Sequence, residues 1–248
     1  MSHSNIENEA TKEGSVDLSV IIPARNEESE LEATLEAVGQ ARARICPRVS
    51  EVMVVDNLST DETASIAQGH KDVRYLRCER LKAPCARNYG AARARGRILV
   101  FIDADTRIPA QGLEHILELA TRYQVGIFGI RGQGKGRRSR CWWLFWNAVR
   151  HLPLAHAKAL PAFMFCTQAA FQTYGPFDES VVIGEEWPLT AACYRQDRER
   201  FIYDESLYAT TSNRRMEKQR FGYTLTFLKY VWAVLHRSGR LRYSDWIR

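Results

Sequence analysis

Short apolar runs alternate with helix-spaced stretches along the first half of the chain. Leu18–Ile22 is an apolar run closed by Pro23 and reads as a strand. Residues 28–42 carry Leu31, Leu35 and Val38 at helical spacing. Val52–Val55 reads as a second strand, and Ser59, Thr60 and Asp61 offer caps for a helix over Thr63–Gln68. Val73–Arg77 is a third, weaker strand. Pro84 opens an Ala/Arg-rich helix that runs through Arg95 and stops at Gly96. Ile98–Ile102 is a fourth strand. Residues 110–123 predict a helix with Leu113, Ile116, Leu117 and Ala120 on one side, and Val125–Ile130 a fifth strand. This alternation predicts an α/β fold, a Rossmann-like, mostly parallel central sheet with helices on both faces.

The second half is less regular. Gly132–Arg140 (GQGKGRRSR) combines glycine and basic residues without an acid and reads as a loop. Cys141–Val149 (CWWLFWNAV) is densely aromatic. Trp142, Trp143, Phe145 and Trp146 suit core packing as well as they suit stacking on a sugar or contact with lipid. Ala162–Cys166 predicts a strand and Glu185–Gln196 a helix. Phe221–Leu235 predicts an amphipathic helix with Phe221, Leu225, Leu228, Trp232 and Leu235 on one stripe.

With 45% hydrophobic residues in 248, the chain can bury a sizeable core. The net charge of +6 favours anionic partners: phosphates, an acidic lipid surface or nucleic acid. No RNA-binding or zinc-finger pattern accompanies it, so nucleic acid is not expected. The six cysteines form no CxxC pair, which speaks against zinc and fits a reducing, cytoplasmic setting. Residues 1–16 are polar and predict a loose tail. No run approaches the roughly 20 apolar residues of a membrane span. Contact with a membrane surface stays open, and the basic, aromatic C-terminal helix is its candidate.

Ligands in parallel α/β sheets bind beyond the carboxyl ends of strands. That rule selects Ala24–Asn26, Asp56-Asn57 and Asp103–Asp105. Asp103 and Asp105 would share a side if their strand continued. Two carboxylates about 4 Å apart repel by about 4 kcal/mol even at an effective dielectric of 20, a cost that a divalent cation removes. A solvated turn with a helix cap before Pro109 explains the same tripeptide without any metal. Asp56 can accept from the N–H edge of a base, or simply cap the next helix.

In order along the chain stand SVIIPARNE, VVDNLSTDET, APCARNYGAARARGRILVFIDADT, GPFDES and GEEWPL. Together they cover roughly residues 18–196 and resemble the family 2 glycosyltransferases, which have the GT-A fold. The resemblance implies an inverting transferase that uses a nucleotide-diphosphate sugar and Mg²⁺ or Mn²⁺. By position, it assigns Pro23, Ala24, Glu27 and Asp56 to the nucleotide, with Asn57 where a second Asp is commoner. Arg87 and Asn88 match a motif near the base and the ribose or phosphate. Asp103, Ala104 and Asp105 match the metal-binding DxD motif, Asp105 being the expected direct ligand.

Gly184-Glu185-Glu186 matches a Gly-Glu-Asp element whose last acid is the catalytic base. Both Glu186 and Glu185 stay in consideration, and a helix N-terminus that favours acids is the plainer explanation. Phe177-Asp178-Glu179 matches a positioning turn. The processive QxxRW motif is absent, which implies transfer of one sugar. Thr211–Arg215 resembles a Ser-x-Arg-Arg element of non-processive members, with Arg214 or Arg215 closing over the diphosphate. The expected organisation is a GT-A domain over 17–212, its nucleotide-sugar half at about 17–131 and its acceptor half at about 132–212. A helical extension over 213–248 follows. The acceptor is expected to be a sugar or a lipid-linked group, in cell-envelope or glycolipid synthesis, with the protein cytoplasmic or peripheral on the cytoplasmic membrane. A sugar-phosphate nucleotidyltransferase and a non-catalytic nucleotide-sugar or membrane-binding protein are the alternatives.

Overall fold

A computed structural model describes residues 16–134, 136–158, 161–181, 184–214, 228, 231 and 232. One mixed sheet of eight strands organises them. In chain order the elements are β1 (Leu18–Ala24), α1 (Leu31–Arg44), β2 (Ser50–Asp56), α2 (Thr63–Gly69), β3 (Val73–Arg77) and α3 (Ala83–Ala91). There follow β4 (Ile98–Ile102), β5 (Thr106–Arg107), α4 (Gly112–Leu119), β6 (Val125–Gly132) and α5 (Arg137–His151). The last are β7 (Phe163–Thr167), α6 (Gln168–Tyr174), α7 (Trp187–Gln196) and β8 (Phe201–Thr211). The spatial order is β3-β2-β1-β4-β7-β6-β8-β5.

β1, β2, β3 and β4 are mutually parallel; β1, β2 and β4 are buried on both faces, as their apolar runs require, whereas β3 at the sheet edge is only partly covered. Val20, Ile22, Val52, Val54, Val100 and Ile102 enter one core with Leu31, Leu35 and Val38 of α1. Ile21, Met53, Val55, Leu99 and Phe101 point the other way, against Cys85 and Ala86 of α3 and Leu189 and Cys193 of α7. β7 runs antiparallel between β4 and β6, and β5 antiparallel to β8. The sheet is therefore parallel over β3-β2-β1-β4 and mixed beyond it.

Several predicted boundaries shift. α3 ends at Ala91, short of Arg95, because the following backbone is drawn onto the sheet: Arg95 N donates to Glu51 Oε1 (2.7 Å) and Gly96 N to Ser19 Oγ (2.8 Å). The predicted loop over Gly132–Arg140 holds instead the end of β6 and, from Arg137, the first turn of α5. The aromatic segment belongs to that helix. Trp146 is buried against Ala157, Trp187 and Ala191, whereas Phe145 is 39% exposed. β5, α6 and β8 were not foreseen. The helix predicted over Phe221–Leu235 lies outside the described residues except at 228, 231 and 232. No described helix is long and apolar enough to cross a membrane.

Candidate functional site

The parallel order β2-β1-β4 brings three strand ends to one rim. Ala24 is in register with Asp56, and Ile21 with Phe101. The first two loops are sewn together: Asn57 N donates to Ala24 O (2.8 Å), Asn26 N to Ser59 Oγ (3.0 Å) and Thr60 N to Asn26 Oδ1 (2.9 Å). Glu27 N donates to Thr63 Oγ1 (2.8 Å). Asn26 takes a positive φ of 51° to close this seam, a conformation that asparagine tolerates.

Asp56 is 2% exposed. It accepts from Ser59 N (3.0 Å) on Oδ1 and from the Tyr75 hydroxyl (3.0 Å) on Oδ2. The first bond closes the turn after β2 and does not cap α2, which begins only at Thr63; the second fixes the carboxylate at the strand end. Burial, with Asp56 beside it, pushes the Tyr75 hydroxyl pKa above its ordinary value. Pro23 and Ala24 end β1 on the same rim, with Ala24 buried.

Asp103, Ala104 and Asp105 form a tight turn, closed by Thr106 N donating to Asp103 O (2.9 Å). β4 has already ended at Ile102, so strand alternation does not set the directions of the two carboxylates. The turn is anchored on three sides. Asp103 N donates to Ala162 O (3.0 Å), Ser212 N to Asp105 O (3.0 Å), and Thr34 Oγ1 to Ala104 O (2.8 Å). The Thr211 hydroxyl donates to Asp105 Oδ1 (3.2 Å). Buried Ala104 serves as the packed middle of the turn.

Arg87, 11% exposed on α3, bridges the two halves. Its Nη2 donates to Asp103 Oδ1 (2.7 Å) and its Nη1 to Glu185 Oε1 (3.0 Å). Burial works against its charge, but Asp103 and Glu185 outweigh that and push its pKa above the usual value. Burial holds the Glu185 carboxyl above the ordinary range, with Arg87 pulling the other way. Asn88, next to Arg87, serves the turn after α6. Its amide donates to Phe177 O and Glu179 Oε1 (2.9 Å each), and its Oδ1 accepts from Phe177 N (2.9 Å).

Gly184 delivers Glu185 and Glu186. Its φ is +81°, and a Cβ there would stand 2.4 Å from the Trp187 ring, so only glycine fits. Glu186 is 5% exposed and caps α7, its carbonyl accepting from Leu189 N (3.0 Å) and Thr190 N (2.9 Å). After β8, Arg214 crosses back to β1's loop, where it pairs with buried Glu27 and donates to Ser29 Oγ (2.6 Å). Arg215 lies outside the described residues.

Among the sequence-selected residues, Arg87 is thus paired with Asp103 and Glu185, and Arg214 separately with Glu27. Tyr75, Thr211 and Thr34 complete the scaffold. No local spacing predicts these contacts, since their partners lie 19, 106 and 70 residues away. Among the described residues no group of three or more His, Cys, Asp or Glu could hold a metal by itself. Two neighbouring carboxylates on an anchored turn, with Asp103 36% exposed, nevertheless fit Mg²⁺ or Mn²⁺ of the kind that brings substrate phosphate oxygens as its remaining ligands.

Solved structures share this architecture. A TarS fragment of S. aureus superposes with a TM-score of 0.59 at 19% identity, covering 79% of this chain and 60% of that one. The glucosyl-3-phosphoglycerate synthase of Mycobacterium tuberculosis, in complex with Mn²⁺, UDP and glucosyl-3-phosphoglycerate, gives 0.56 at 18%, covering 86% and 77%. A mannosyltransferase of Pyrobaculum calidifontis in complex with GDP-Man and Mn²⁺ gives 0.55 at 22%, covering 78% and 56%. At such identities the likeness shows the fold, the GT-A type.

Sequence relatives include the validoxylamine A glucosyltransferase of Streptomyces hygroscopicus subsp. limoneus, 33% identical over 40% of this chain and 23% of its own. The 4,4'-diaponeurosporenoate glycosyltransferase of Staphylococcus haemolyticus is 34% identical over 46% and 31%. The undecaprenyl-phosphate 4-deoxy-4-formamido-L-arabinose transferase of Pseudomonas paraeruginosa is 29% identical over 50% and 38%. The matched segment spans well under half the length of each relative. The family model described as "Glycosyl transferase family 2" matches residues 19–180, which carry Asp56, Arg87 and the Asp103–Asp105 turn, and the chain belongs to that family.

Proposed function

We propose that this protein is an inverting glycosyltransferase that moves one sugar from a nucleoside-diphosphate sugar to an acceptor hydroxyl. The observation that carries this reading is the Arg87 bridge. It ties the carboxylate turn at Asp103, suited to a diphosphate with its cation, to the Glu185–Glu186 corner, suited to proton removal. Asp56, at the neighbouring strand end, receives the base edge. Asp103 and Asp105 would hold Mg²⁺ or Mn²⁺, with Asp105 as the direct ligand. When bound, the cation supplies Lewis-acid stabilisation of the departing diphosphate. Arg214, now on Glu27, adds a positive charge beside the phosphates.

The acceptor oxygen forms its bond to the anomeric carbon as the bond to the diphosphate oxygen breaks, and the acceptor's proton goes to a carboxylate. Glu186, buried at the start of α7 and the last acid of the Gly-Glu-Glu corner, is the residue we assign as that base. Attack opposite the leaving group inverts the anomeric centre. Two relatives carry a lipid or a lipid phosphate in their names, which supports a lipid-linked acceptor and a place in envelope or glycolipid synthesis.

The test is a thermal-shift and turnover screen of nucleoside diphosphates and their sugars. Stabilisation by one nucleotide that vanishes on chelation and returns with Mn²⁺ or Mg²⁺ is expected, as is a product of opposite anomeric configuration by NMR. A retained configuration, or pyrophosphate release from a nucleoside triphosphate and a sugar phosphate, sinks the reading.

A further inference from the structure

The outward face of α5 combines two properties that the fold itself disfavours. Its first turn carries Arg137, Arg138 and Arg140 with no acidic residue, although the partial positive charge of a helix N-terminus opposes cations. Arg137, Cys141, Leu144 and Ala148 then follow at i, i+4, i+7 and i+11, all exposed, on the side opposite buried Trp146 and Arg150. Leu144 is 62% exposed. Phe145 within α5, and Leu152 and Leu154 beyond its end, are also exposed, at 39%, 45% and 43%. Val231 packs with Trp142 against the small core around Trp146 and Trp187, and Leu228 and Trp232 are exposed. Exposed leucines beside arginines, with no acid along α5, match the chemistry of an anionic bilayer surface: apolar side chains enter the acyl boundary while guanidinium groups meet phosphates.

A groove of about 600 Å³ gives this face a direction. Arg140, Trp143 and Leu144 of α5 line it together with Arg131 and Gly132 at the end of β6 and with Glu205 of β8, whose charge is taken up by His151 of α5. Gly132 pairs with Thr211, whose hydroxyl donates to Asp105. The groove therefore leads from the outer face of α5 to within one strand of the carboxylate turn.

We propose that α5 docks the protein on an anionic membrane, with the groove opening toward the lipid. By sequence, lipid contact is open both to the aromatic segment with Trp142, Trp143, Phe145 and Trp146 and to the C-terminal helix; α5 carries the first, and the second lies mostly outside the described residues. A second copy of the chain or a nucleic acid would also meet apolar or basic groups. The interleaving of both kinds on one helix, with charge complementarity to lipid headgroups, favours the bilayer.

The full chain is to be floated with vesicles of equimolar phosphatidylcholine and phosphatidylglycerol, and with phosphatidylcholine alone. Binding to the mixed vesicles only, weakened by salt, is expected. Arg137→Gln with Arg140→Gln lowers the partition coefficient about fivefold per arginine. Leu144→Glu lowers it at least as much, with the melting temperature and nucleotide-induced shift unchanged. This readout is independent of turnover, so it stands or falls apart from the proposed transfer. No binding at low salt overturns the proposal, as does binding that survives both substitutions. So do capture of single-stranded RNA in place of vesicles, and a dimer that Leu144→Glu dissolves.

Discussion

Arg87 Nη2 donates to Asp103 Oδ1 across 2.7 Å, from a helix to a turn that packing on β1 and β4 holds in register. The same guanidinium carries Glu185, so its removal leaves two carboxylates facing a largely buried gap. Arg87→Met is expected to cost about 2 kcal/mol, below the 3–5 kcal/mol of fully buried pairs because Asp103 reaches solvent. The sign with pH follows from Glu185. Burial raises its pKa, so the folded chain binds that proton more tightly than the unfolded one. Its contribution to stability is complete in acid and declines as pH climbs through the folded pKa. Without the opposing Arg87 charge that decline steepens. Denaturant melts should show Arg87→Met losing more at about pH 8 than at about pH 5; equal losses contradict the bridge.

Glu185 and Glu186 are neighbours with different surroundings, and single substitutions should separate them. Glu186→Gln is expected to lower kcat by about 10³-fold, the range of a lost general base, with donor KM little changed. Glu185→Gln keeps a hydrogen-bond acceptor for Arg87 and should mainly disturb donor KM and stability. Steady-state kinetics with one acceptor decides. If the larger kcat loss falls on Glu185→Gln, the roles are reversed.

The parallel half of the fold was legible because β1, β2 and β4 are apolar runs buried on both faces, a pattern with few competing readings. β8 was not. Phe201–Thr211 carries Asp204, Glu205 and Ser206 in its middle, opposite the irregularity between Phe128 and Gly129 of β6, where His115 meets Asp204 at 2.9 Å. The start of α5 hid behind a glycine–arginine run that resembles a loop until the aromatic face finds its core. In the site, Asp56, Asp103 and Glu185 stood out as acids at strand and helix ends. Their pairing with Tyr75 and Arg87, and that of Asp105 with Thr211, comes from sheet register and cross-layer packing, which no local spacing encodes. Asn88 is the instructive case. Its motif points to the donor, while its amide is taken up by Phe177 and Glu179.

Gly184 sets the direction in which α7 begins. Gly184→Ala meets both a φ of +81° and the Trp187 ring at 2.4 Å. Strain of this kind costs about 1–3 kcal/mol and is relieved by moving the corner that holds Glu185 and Glu186. The expected result is a lower melting temperature together with a fall in kcat of at least tenfold at unchanged fold by circular dichroism. A destabilised variant with full turnover would mean that the corner is not part of the reacting geometry.

Away from the site, Glu51 is the buried carboxylate on which the β1–β2 junction turns. Its Oε1 accepts from Ser19 Oγ (2.6 Å) and Arg95 N (2.7 Å), and its Oε2 from Arg95 Nε (3.1 Å). Burial alone raises its pKa; Ser19 and Arg95 overcome that and hold it below the ordinary range. The unfolded chain therefore binds this proton more readily. The stability it contributes is present above the ordinary glutamate pKa and is lost as pH falls through the folded one. Glu51→Gln should cost about 1.5–3 kcal/mol near neutrality, the worth of hydrogen bonds to a charged group. In acid, where the native carboxyl is itself protonated, the difference should close. Because this cluster sits at the opposite end of β1 from Ala24, kcat and donor KM are expected to match the unaltered protein. A stability gap that is constant with pH would show that Ser19 and Arg95 recognise the shape of the side chain and not its charge.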